Sequence, residues 1–293
     1  MHIPDIRLHE PRTIAEACQL LNKYCDVSKI LAGGTDLLVD LKQGRITGIE
    51  HLISIRNIEG LGSIEETKDR IRVGARVTLN QVSRDKIVQK LFPSLVDALH
   101  SMAAYPVRNM ATVVGNIAGA VPSSDLAPFF IVSGGEAVLS TGESERSVKV
   151  EDYMLGPRET VCGEYEILTH LLIPKPPPRT GKSYQKFMLR GTNALAVAGV
   201  AARLTLTGGA KGKILESCIA MTAVAPRPLI AHEACVFLEG KPPSQSMFKE
   251  AAKIARAAAR PITDIRGTEE YRYELVEVLT VRALEEALAR ARG

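Results

Sequence analysis

Apolar residues near the start of the chain recur at helical spacing. They predict a helix across residues 14–24, formed around Ile14, Ala17, Leu20 and Leu21. A short apolar run at residues 30–32 is followed by the paired glycines Gly33 and Gly34, and then by a helical pattern across residues 37–42. The glycines therefore lie at a strand-to-helix turn, where the first backbone N–H groups of a helix have no partner within it.

The middle of the chain alternates between predicted strands and predicted helices. The strands are expected at residues 51–55, 70–75, 135–140 and 145–150, and the helices at residues 78–90, 94–103 and 126–132. Ser123 or Ser124 is expected to cap the last of these helices.

Residues 174–181 form the clearest boundary in the pattern, because four of the five residues from Pro174 to Pro178 are prolines. Such a run cannot continue a helix or a central strand, so we expect an extended connection. The elements predicted beyond it are three strands and then three helices: 183–190, 196–207, 213–223, 231–239, 245–259 and 268–291. Strands followed by a run of helices are typical of an α+β domain.

Length and charge restrict the class of protein. The 293 residues are enough for two domains or one large one, and a net charge of +4 is too small to favour nucleic-acid binding. No apolar run approaches the length of a membrane span, and residues 1–13 lack the apolar segment of a signal peptide. We therefore expect a cytoplasmic protein without a membrane span.

The cysteines give no pattern that predicts a metal site. They are scattered, contain no Cys-x-x-Cys pair, and are Cys18, Cys25, Cys162, Cys218 and Cys235. The six histidines are equally dispersed. An odd, unpaired set of thiols fits a reducing compartment and does not predict an iron–sulfur cluster within this chain.

Two glycine turns are the candidate ligand-binding segments. Paired glycines at 33 and 34 let a phosphate approach the backbone, although a tight turn without a ligand is the alternative. Residues 112–125 add a hydroxyl at Thr112, an amide at Asn116 and a carboxylate at Asp125, which suit the diphosphate and sugar of a dinucleotide. A helix cap and a solvated carboxylate are the alternative there.

Two common nucleotide motifs do not fit this chain. No Gly-x-Gly-x-x-Gly follows the first predicted strand, so a Rossmann site is not supported. Residues 208–214 resemble a P-loop, but Ile214 stands where Ser or Thr is required. We interpret that segment as a hairpin turn.

A set of motifs in a fixed order resembles one known family. It comprises residues 30–38 (ILAGGTDLL), 108–116 (RNMATVVGN), 120–125 (AVPSSD), 156–160 (GPRET), 166–169 (EILT), 225–228 (APRP) and 261–267 (PITDIRG). Together these segments are similar to the FAD-binding medium subunits of molybdenum hydroxylases, the family of xanthine dehydrogenase, carbon monoxide dehydrogenase and 4-hydroxybenzoyl-CoA reductase.

The resemblance implies an α+β fold with a defined division. A PCMH-type FAD-binding domain of two α/β subdomains is expected at residues 1–175, divided at about residue 55 into 1–55 and 56–175. A C-terminal domain with a small antiparallel sheet and helices is expected at residues 180–293. The FAD is expected to be bound non-covalently, because no His or Cys accompanies the first motif between Asp26 and Glu50.

The resemblance also implies the residues that bind FAD. Those expected around the diphosphate and sugar are Leu31, Ala32, Gly33, Gly34, Thr35, Asp36, Leu37, Leu38, Thr112, Gly115 and Asn116. Asp125 is expected to bind the ribityl or ribose hydroxyls, and Leu168 and Lys186 to lie along the flavin or the adenosine. A plain surface lysine is the alternative for Lys186. No catalytic or metal-binding residue is predicted.

Three departures from the family's pattern stand out. Val114 replaces the first of two adjacent glycines in the second motif, which puts the donor geometry there in doubt. Ile230 stands where the family often has arginine. The cysteine-bearing insertion of 4-hydroxybenzoyl-CoA reductase has no counterpart in residues 105–125, so its extra cluster is not expected.

In this family the medium subunit relays electrons within a complex. We therefore expect a large molybdenum-cofactor subunit and a small [2Fe–2S] subunit as partners, in a dimer of heterotrimers. Lys175, Arg179 and Lys182 are expected to contribute to a docking surface, with ordinary loop solvation as the alternative. Two other functions stay open: a free-standing flavin oxidase, for which Tyr105 is a candidate catalytic residue with a packed aromatic as the alternative, and a non-enzymatic nucleotide-binding or scaffold module.

Overall fold

A computed structural model describes residues 5–191, 193–208 and 212–293 of the chain. The first elements are β1 (Arg7–His9), α1 (Ile14–Tyr24), β2 (Ser28–Leu31), α2 (Leu37–Lys42) and β3 (His51–Ser54). The three strands form a parallel sheet in the order β1-β3-β2. The predicted helices at residues 14–24 and 37–42 are confirmed. Thr13 caps α1, since its hydroxyl accepts a hydrogen bond from the Glu16 N–H.

Residues 64–174 build a second, antiparallel sheet with helices packed against it. Its elements are β4 (Ile64–Glu66), β5 (Arg70–Gly74), α3 (Leu79–Arg84), α4 (Lys86–Leu91), α5 (Pro93–His100), α6 (Tyr105–Arg108), α7 (Val113–Ala118), α8 (Ala127–Val132), β6 (Glu136–Ser140), β7 (Glu145–Lys149), α9 (Val150–Tyr153), β8 (Met154–Gly156), β9 (Glu159–Thr160) and β10 (Ile167–Pro174). The sheet order is β4-β5-β10-β6-β7, and β8 and β9 form a separate hairpin.

Two predictions in this region are corrected. The helix predicted across residues 78–90 is two helices, because Asp85 has extended backbone angles and its carboxylate accepts the N–H groups of Ile87 and Val88, each at 2.9 Å. An aspartate that caps a new helix in this way ends the preceding one. The sequence patterns do not predict strand β10, although it is the central strand of the sheet; Thr169 and His170 interrupt its apolar residues.

The remaining residues form a third sheet covered by long helices. The elements are β11 (Thr180–Phe187), β12 (Ala198–Leu206), β13 (Ile214–Thr222), β14 (Leu229–Ile230), α10 (His232–Leu238), α11 (Gln245–Ala258) and α12 (Glu269–Arg292). The strands are antiparallel in sequence order. The predicted hairpin turn at residues 208–214 includes residues 209–211, which lie outside the described residues, while its flanking strands β12 and β13 pair as hairpin strands do. These elements confirm the predicted α+β class.

The two faces of β11 pack against different parts of the molecule. Ser183 and Gln185 donate hydrogen bonds to Glu286 of α12, at 2.6 and 2.5 Å. The alternate residues Lys182, Tyr184 and Lys186 form the other face, the inner face of β11, which packs against residues 92–133. The strand therefore lies between helix α12 on one side and the helices and loops of residues 92–133 on the other.

Lys182 does not lie on the surface, contrary to the expectation that it contributes to a basic docking surface. Its side chain is buried, with the residue only 7% exposed, and its Nζ donates to Ser133 Oγ at 2.9 Å. The rings of Phe92 and Phe129 lie beside the amine, 4.9 and 5.6 Å from Nζ to the ring centroids. Burial lowers the pKa of Lys182 to about 7. A buried lysine cannot steer a partner, so the prediction for this residue is wrong.

None of the described helices combines the length and the apolar character needed to cross a membrane.

Candidate functional site

A cavity of about 850 Å³ lies where the first sheet meets the helices and hairpin of the second. This volume is in the range of sites that hold cofactors. Most of the predicted binding residues line it, namely Ala32, Gly33, Gly34, Thr35, Asp36, Leu37, Thr112, Gly115, Asn116 and Leu168. Leu31, Leu38, Asp125 and Lys186 are not among its lining residues.

The first glycine turn, residues 32–36, lies directly against the second motif. A Cβ added at Gly33 would collide with the carbonyl group of Met110 and would lie 3.1 Å from the Cα of Ala111. Gly34 has a φ of +70°, which favours glycine. The glycines thus allow two backbone segments to approach each other and leave both facing the cavity.

The second glycine turn, residues 112–116, is organised by a helix cap. The Thr112 hydroxyl accepts a hydrogen bond from the Gly115 N–H at 3.0 Å, at the start of α7. A Cβ at Gly115 would lie 2.7 Å from that hydroxyl, so glycine makes room for the cap. Val114, the departure from the family's pattern, is buried and also lines the cavity.

Asn116 is held in one orientation by a neighbouring loop. Its side-chain oxygen accepts a hydrogen bond from Ser124 Oγ at 2.7 Å. The same serine oxygen accepts from the N–H of Ala127, the first residue of α8, at 3.3 Å; the N-cap of α8 is Leu126 rather than the expected Ser123 or Ser124. The bond from Ser124 fixes the orientation of the side chain of Asn116, which lines the cavity.

Asp125 and Lys186, predicted from separate parts of the chain, form a buried ion pair. Lys186 Nζ lies 2.8 Å from Asp125 Oδ2, and Tyr184 donates its hydroxyl to Asp125 Oδ1 at 2.7 Å. Lys186 also donates to the carbonyl oxygen of Ser101 at 3.3 Å. The two charged side chains are only 8% and 2% exposed. Burial raises the pKa of Asp125, and the contacts with Lys186 and Tyr184 partly offset that effect.

A cluster of charges at the cavity was not predicted from the sequence. Asp40 of α2 is buried, and its carboxylate lies 2.6 Å from Arg158 and 3.1 Å from Arg45. Burial also raises the pKa of Asp36, with a further contribution from Asp40 and an opposing one from Arg158. All four side chains line the cavity. Arg158 lies in the GPRET motif, but nothing in its spacing indicates that its partner is 118 positions earlier in the chain.

The cavity fits a dinucleotide cofactor in shape and chemistry. Two glycine turns present backbone to it, Leu168 and Leu79 supply apolar surface, and Arg158 supplies positive charge. Among the described residues no group of histidines, cysteines and carboxylates is placed to hold a metal ion, and the five cysteines are free thiols.

Comparisons with known proteins agree with this geometry. Residues 4–176 match the family described as the FAD binding domain in molybdopterin dehydrogenase, and residues 182–287 match the CO dehydrogenase flavoprotein C-terminal domain. The chain is 33% identical to the carbon monoxide dehydrogenase medium chain of Afipia carboxidovorans, over 97% of each chain. It is 27% identical to the xanthine dehydrogenase FAD-binding subunit of Escherichia coli O157:H7, also over 97% of each.

A solved structure extends the likeness to the whole fold. Carbon monoxide dehydrogenase from Hydrogenophaga pseudoflava, in a form lacking the Mo-pyranopterin moiety, contains a chain that matches with a TM-score of 0.94 and 32% identity over 99% of each chain. The resemblance identified from the motifs is confirmed, and with it the expected succession of an FAD-binding domain and a C-terminal domain.

Proposed function

This chain belongs to the family of FAD-binding medium subunits of molybdenum-containing dehydrogenases, and from that membership we propose that it is an electron relay. In the proposed role it passes electrons from the [2Fe–2S] clusters of a partner subunit to an external acceptor. FAD exchanges one or two electrons, so it couples a one-electron donor to a two-electron acceptor.

The observation that supports this proposal most is the meeting of the two glycine turns at one cavity. Gly33 packs against the backbone of residues 110–111, which brings both turns to the same cavity wall. We propose that the first turn, with Leu31 to Leu38, and the second, with Thr112, Gly115 and Asn116, hold the diphosphate and sugar. Leu168 supplies an apolar surface for a ring.

Asp125 and Lys186 have a more restricted place in this proposal. They are bound to each other, buried and not among the residues that line the cavity, so we propose that they contribute to the flavin site as a fixed ion pair beside it.

We propose that the FAD is held without a covalent bond, since residues 27–49 contain neither His nor Cys. Acid precipitation of the purified chain tests this directly. We expect the yellow colour in the supernatant; a yellow pellet would contradict non-covalent binding.

The proposed division of the chain is 1–175 and 180–293, with subdomains 1–55 and 56–175. Its support is that the three large sheets fall within residues 7–54, 64–174 and 180–230. We further propose a cytoplasmic complex, a dimer of heterotrimers, in which the molybdenum cofactor and the [2Fe–2S] clusters belong to a large and a small partner subunit.

Assembly and activity test the relay. Gel filtration of a native extract should place this chain well above its monomer mass of 31.7 kDa, together with a molybdenum-containing subunit and a [2Fe–2S] subunit. The isolated chain should hold FAD and fail to oxidise purines, aldehydes or aromatic heterocycles. If the single chain turned over any of these with stoichiometric flavin reduction, the free-standing oxidase would replace the relay.

A further inference from the structure

Five carboxylate side chains line the cavity that is proposed to take the FAD diphosphate (Asp26, Asp36, Asp40, Glu164 and Glu166), and two of them belong to the first glycine turn and the helix that follows it. Asp36 and Asp40 both line it, and Asp40 is buried. A diphosphate beside two carboxylates would be repelled unless a cation lies between them. The cations that line the cavity are Lys29, Arg45 and Arg158.

Arg158 is the cation whose contacts place it at the first glycine turn. Its Nη1 lies 2.6 Å from Asp40 Oδ2, on the helix that begins directly after that turn. It also acts on Asp36 itself, since its charge opposes the raised pKa of that carboxyl. Arg45 binds the other oxygen of Asp40 at 3.1 Å and its side chain is more exposed, at 59% against 48%.

The backbone at Arg158 is fixed from the side of the second motif. Arg158 lies at the tip of the β8–β9 hairpin with a φ of +64°, in the left-handed region that non-glycine residues rarely adopt. Its N–H donates to the carbonyl oxygen of Ala120 at 2.9 Å, two residues beyond α7. Arg227 holds the start of the hairpin by donating to the Met154 carbonyl oxygen at 3.0 Å. The backbone of Arg158 is therefore bound to the segment after α7, while its side chain contacts α2.

Most of the Arg158 guanidinium is available to a ligand. Arginine carries five N–H donors, and among the described residues the ion pair recorded for this side chain is the one with Asp40. One nitrogen of this guanidinium pairs with the buried Asp40 carboxylate, and the planar array of the remaining N–H donors suits phosphate oxygens.

We propose that Arg158 is a binding residue for the FAD diphosphate and that Asp40 positions it. The proposal rests on the proposed placement of the diphosphate at the glycine turns. The Asp40 carboxylate lies between Arg45 and Arg158, so its charge is offset on both oxygens while Arg158 bridges to the ligand.

Binding measurements on the full chain, freed of flavin, test the assignment. We would compare the dissociation constants of FAD, ADP and adenosine for the wild type, Arg158→Gln and Arg158→Lys. Arg158→Gln should weaken FAD and ADP about 10- to 100-fold, as expected for loss of a charge-assisted hydrogen bond, and leave adenosine within about twofold. Arg158→Lys should retain part of the affinity, and the salt dependence of FAD binding should become shallower in Arg158→Gln.

A matched control separates this role from a general loss of charge. Arg70→Gln removes an arginine of similar exposure that pairs with Glu136 at 2.9 Å and does not line the cavity. It should bind all three ligands as the wild type does. Asp40→Asn should weaken FAD when Arg158 is present and add little to Arg158→Gln, because it acts through that arginine.

The outcomes distinguish this inference from the proposed function. If Arg158→Gln binds FAD within about twofold of the wild type, Arg158 is not a diphosphate ligand although the cavity still takes FAD. If adenosine loses as much affinity as ADP, the assignment to the diphosphate is wrong. If the wild type and Arg70→Gln bind no FAD, the proposed function and this inference both fail.

Discussion

The two glycine turns and the inner face of β11 are held in place by different kinds of contact. At the turns, Gly33 brings backbone against backbone at Met110, and the contact leaves no room for a side chain. On the inner face of β11, Lys182 and Lys186 pack among residues 92–133; of the two, within the described residues, only Lys186 has a carboxylate partner. The glycine turns therefore depend on the absence of side chains. The inner face of β11 depends on which buried polar groups its lysine side chains contact.

This contrast determines which substitutions each region tolerates. A backbone contact such as that of Gly33 is lost as soon as a Cβ is added, whereas replacing a buried charged side chain raises or lowers the free energy of unfolding according to whether that charge has a partner. The pair of lysines on one strand face makes this testable, since they differ mainly in whether an anion lies beside them.

The largest effect is expected at Gly33. Gly33→Val should abolish FAD binding, because the new side chain must displace the Met110 backbone and separate the two turns. FAD content per chain, measured by absorbance after purification, should fall from about one to near zero. Gly62→Ala is the control, since its Cβ would meet nothing closer than 3.7 Å. A folded Gly33→Val chain with full FAD would contradict the backbone contact.

Removing the amine of Lys186 should give the next largest effect. Lys186→Met leaves the Asp125 carboxylate buried with Tyr184 as its remaining side-chain partner, which costs about 3–5 kcal/mol in the free energy of unfolding. Urea denaturation of the flavin-free chain measures this. The double variant Lys186→Met/Asp125→Asn should recover part of the loss. If Lys186→Met lowered the free energy of unfolding by less than about 1 kcal/mol, the value typical of an exposed pair, the ion pair would not be buried in solution.

Lys182 should show the opposite sign. Lys182→Met should stabilise the fold by on the order of 1–3 kcal/mol at pH 6, because a charge without a carboxylate partner is removed from an apolar site. The folded pKa of about 7 lies below the ordinary value of 10.5. Below pH 7 both states are charged and the folded state bears the full cost of burial; between pH 7 and 10.5 the folded state has lost its proton and that cost fades.

Thermal unfolding across that pH range checks the Lys182 prediction. The wild type should gain stability relative to Lys182→Met as the pH rises from 7 towards 10. A variant that melts below the wild type at pH 6 would show that the rings of Phe92 and Phe129 stabilise the charged amine by more than burial costs it.

The smallest effect is expected at the cap of α7. Thr112→Ala loses the hydrogen bond to the Gly115 N–H and should cost about 1 kcal/mol in unfolding free energy, while Thr112→Ser should be close to the wild type. Thr78, which caps α3 and bridges to Thr112, provides the matched variant Thr78→Ala. Equal stability losses with FAD affinity reduced only in Thr112→Ala would show that the Thr112 hydroxyl also touches the ligand.

Local sequence signals account for most of the elements and for the glycine turns. Helices α1 and α2 follow from apolar spacing alone, and the paired glycines mark the first turn. The break at Asp85 was missed because a side-chain cap there outweighs a continuous helical pattern. The ion pair of Asp125 with Lys186 joins residues 61 positions apart, and that of Asp40 with Arg158 joins residues 118 apart. No periodicity relates such residues, so only the fold shows that they are partners.

The inner face of β11 also has a consequence for the order of synthesis. A growing chain leaves the ribosome N-terminal part first, so residues 5–174 are complete before β11 exists. Until residues 180–187 emerge, Phe92, Phe129 and the Asp125 carboxylate have no cover from this strand. A nascent chain halted at that stage exposes apolar surface of the kind that chaperones bind, although every residue that lines the proposed FAD cavity has by then been synthesised.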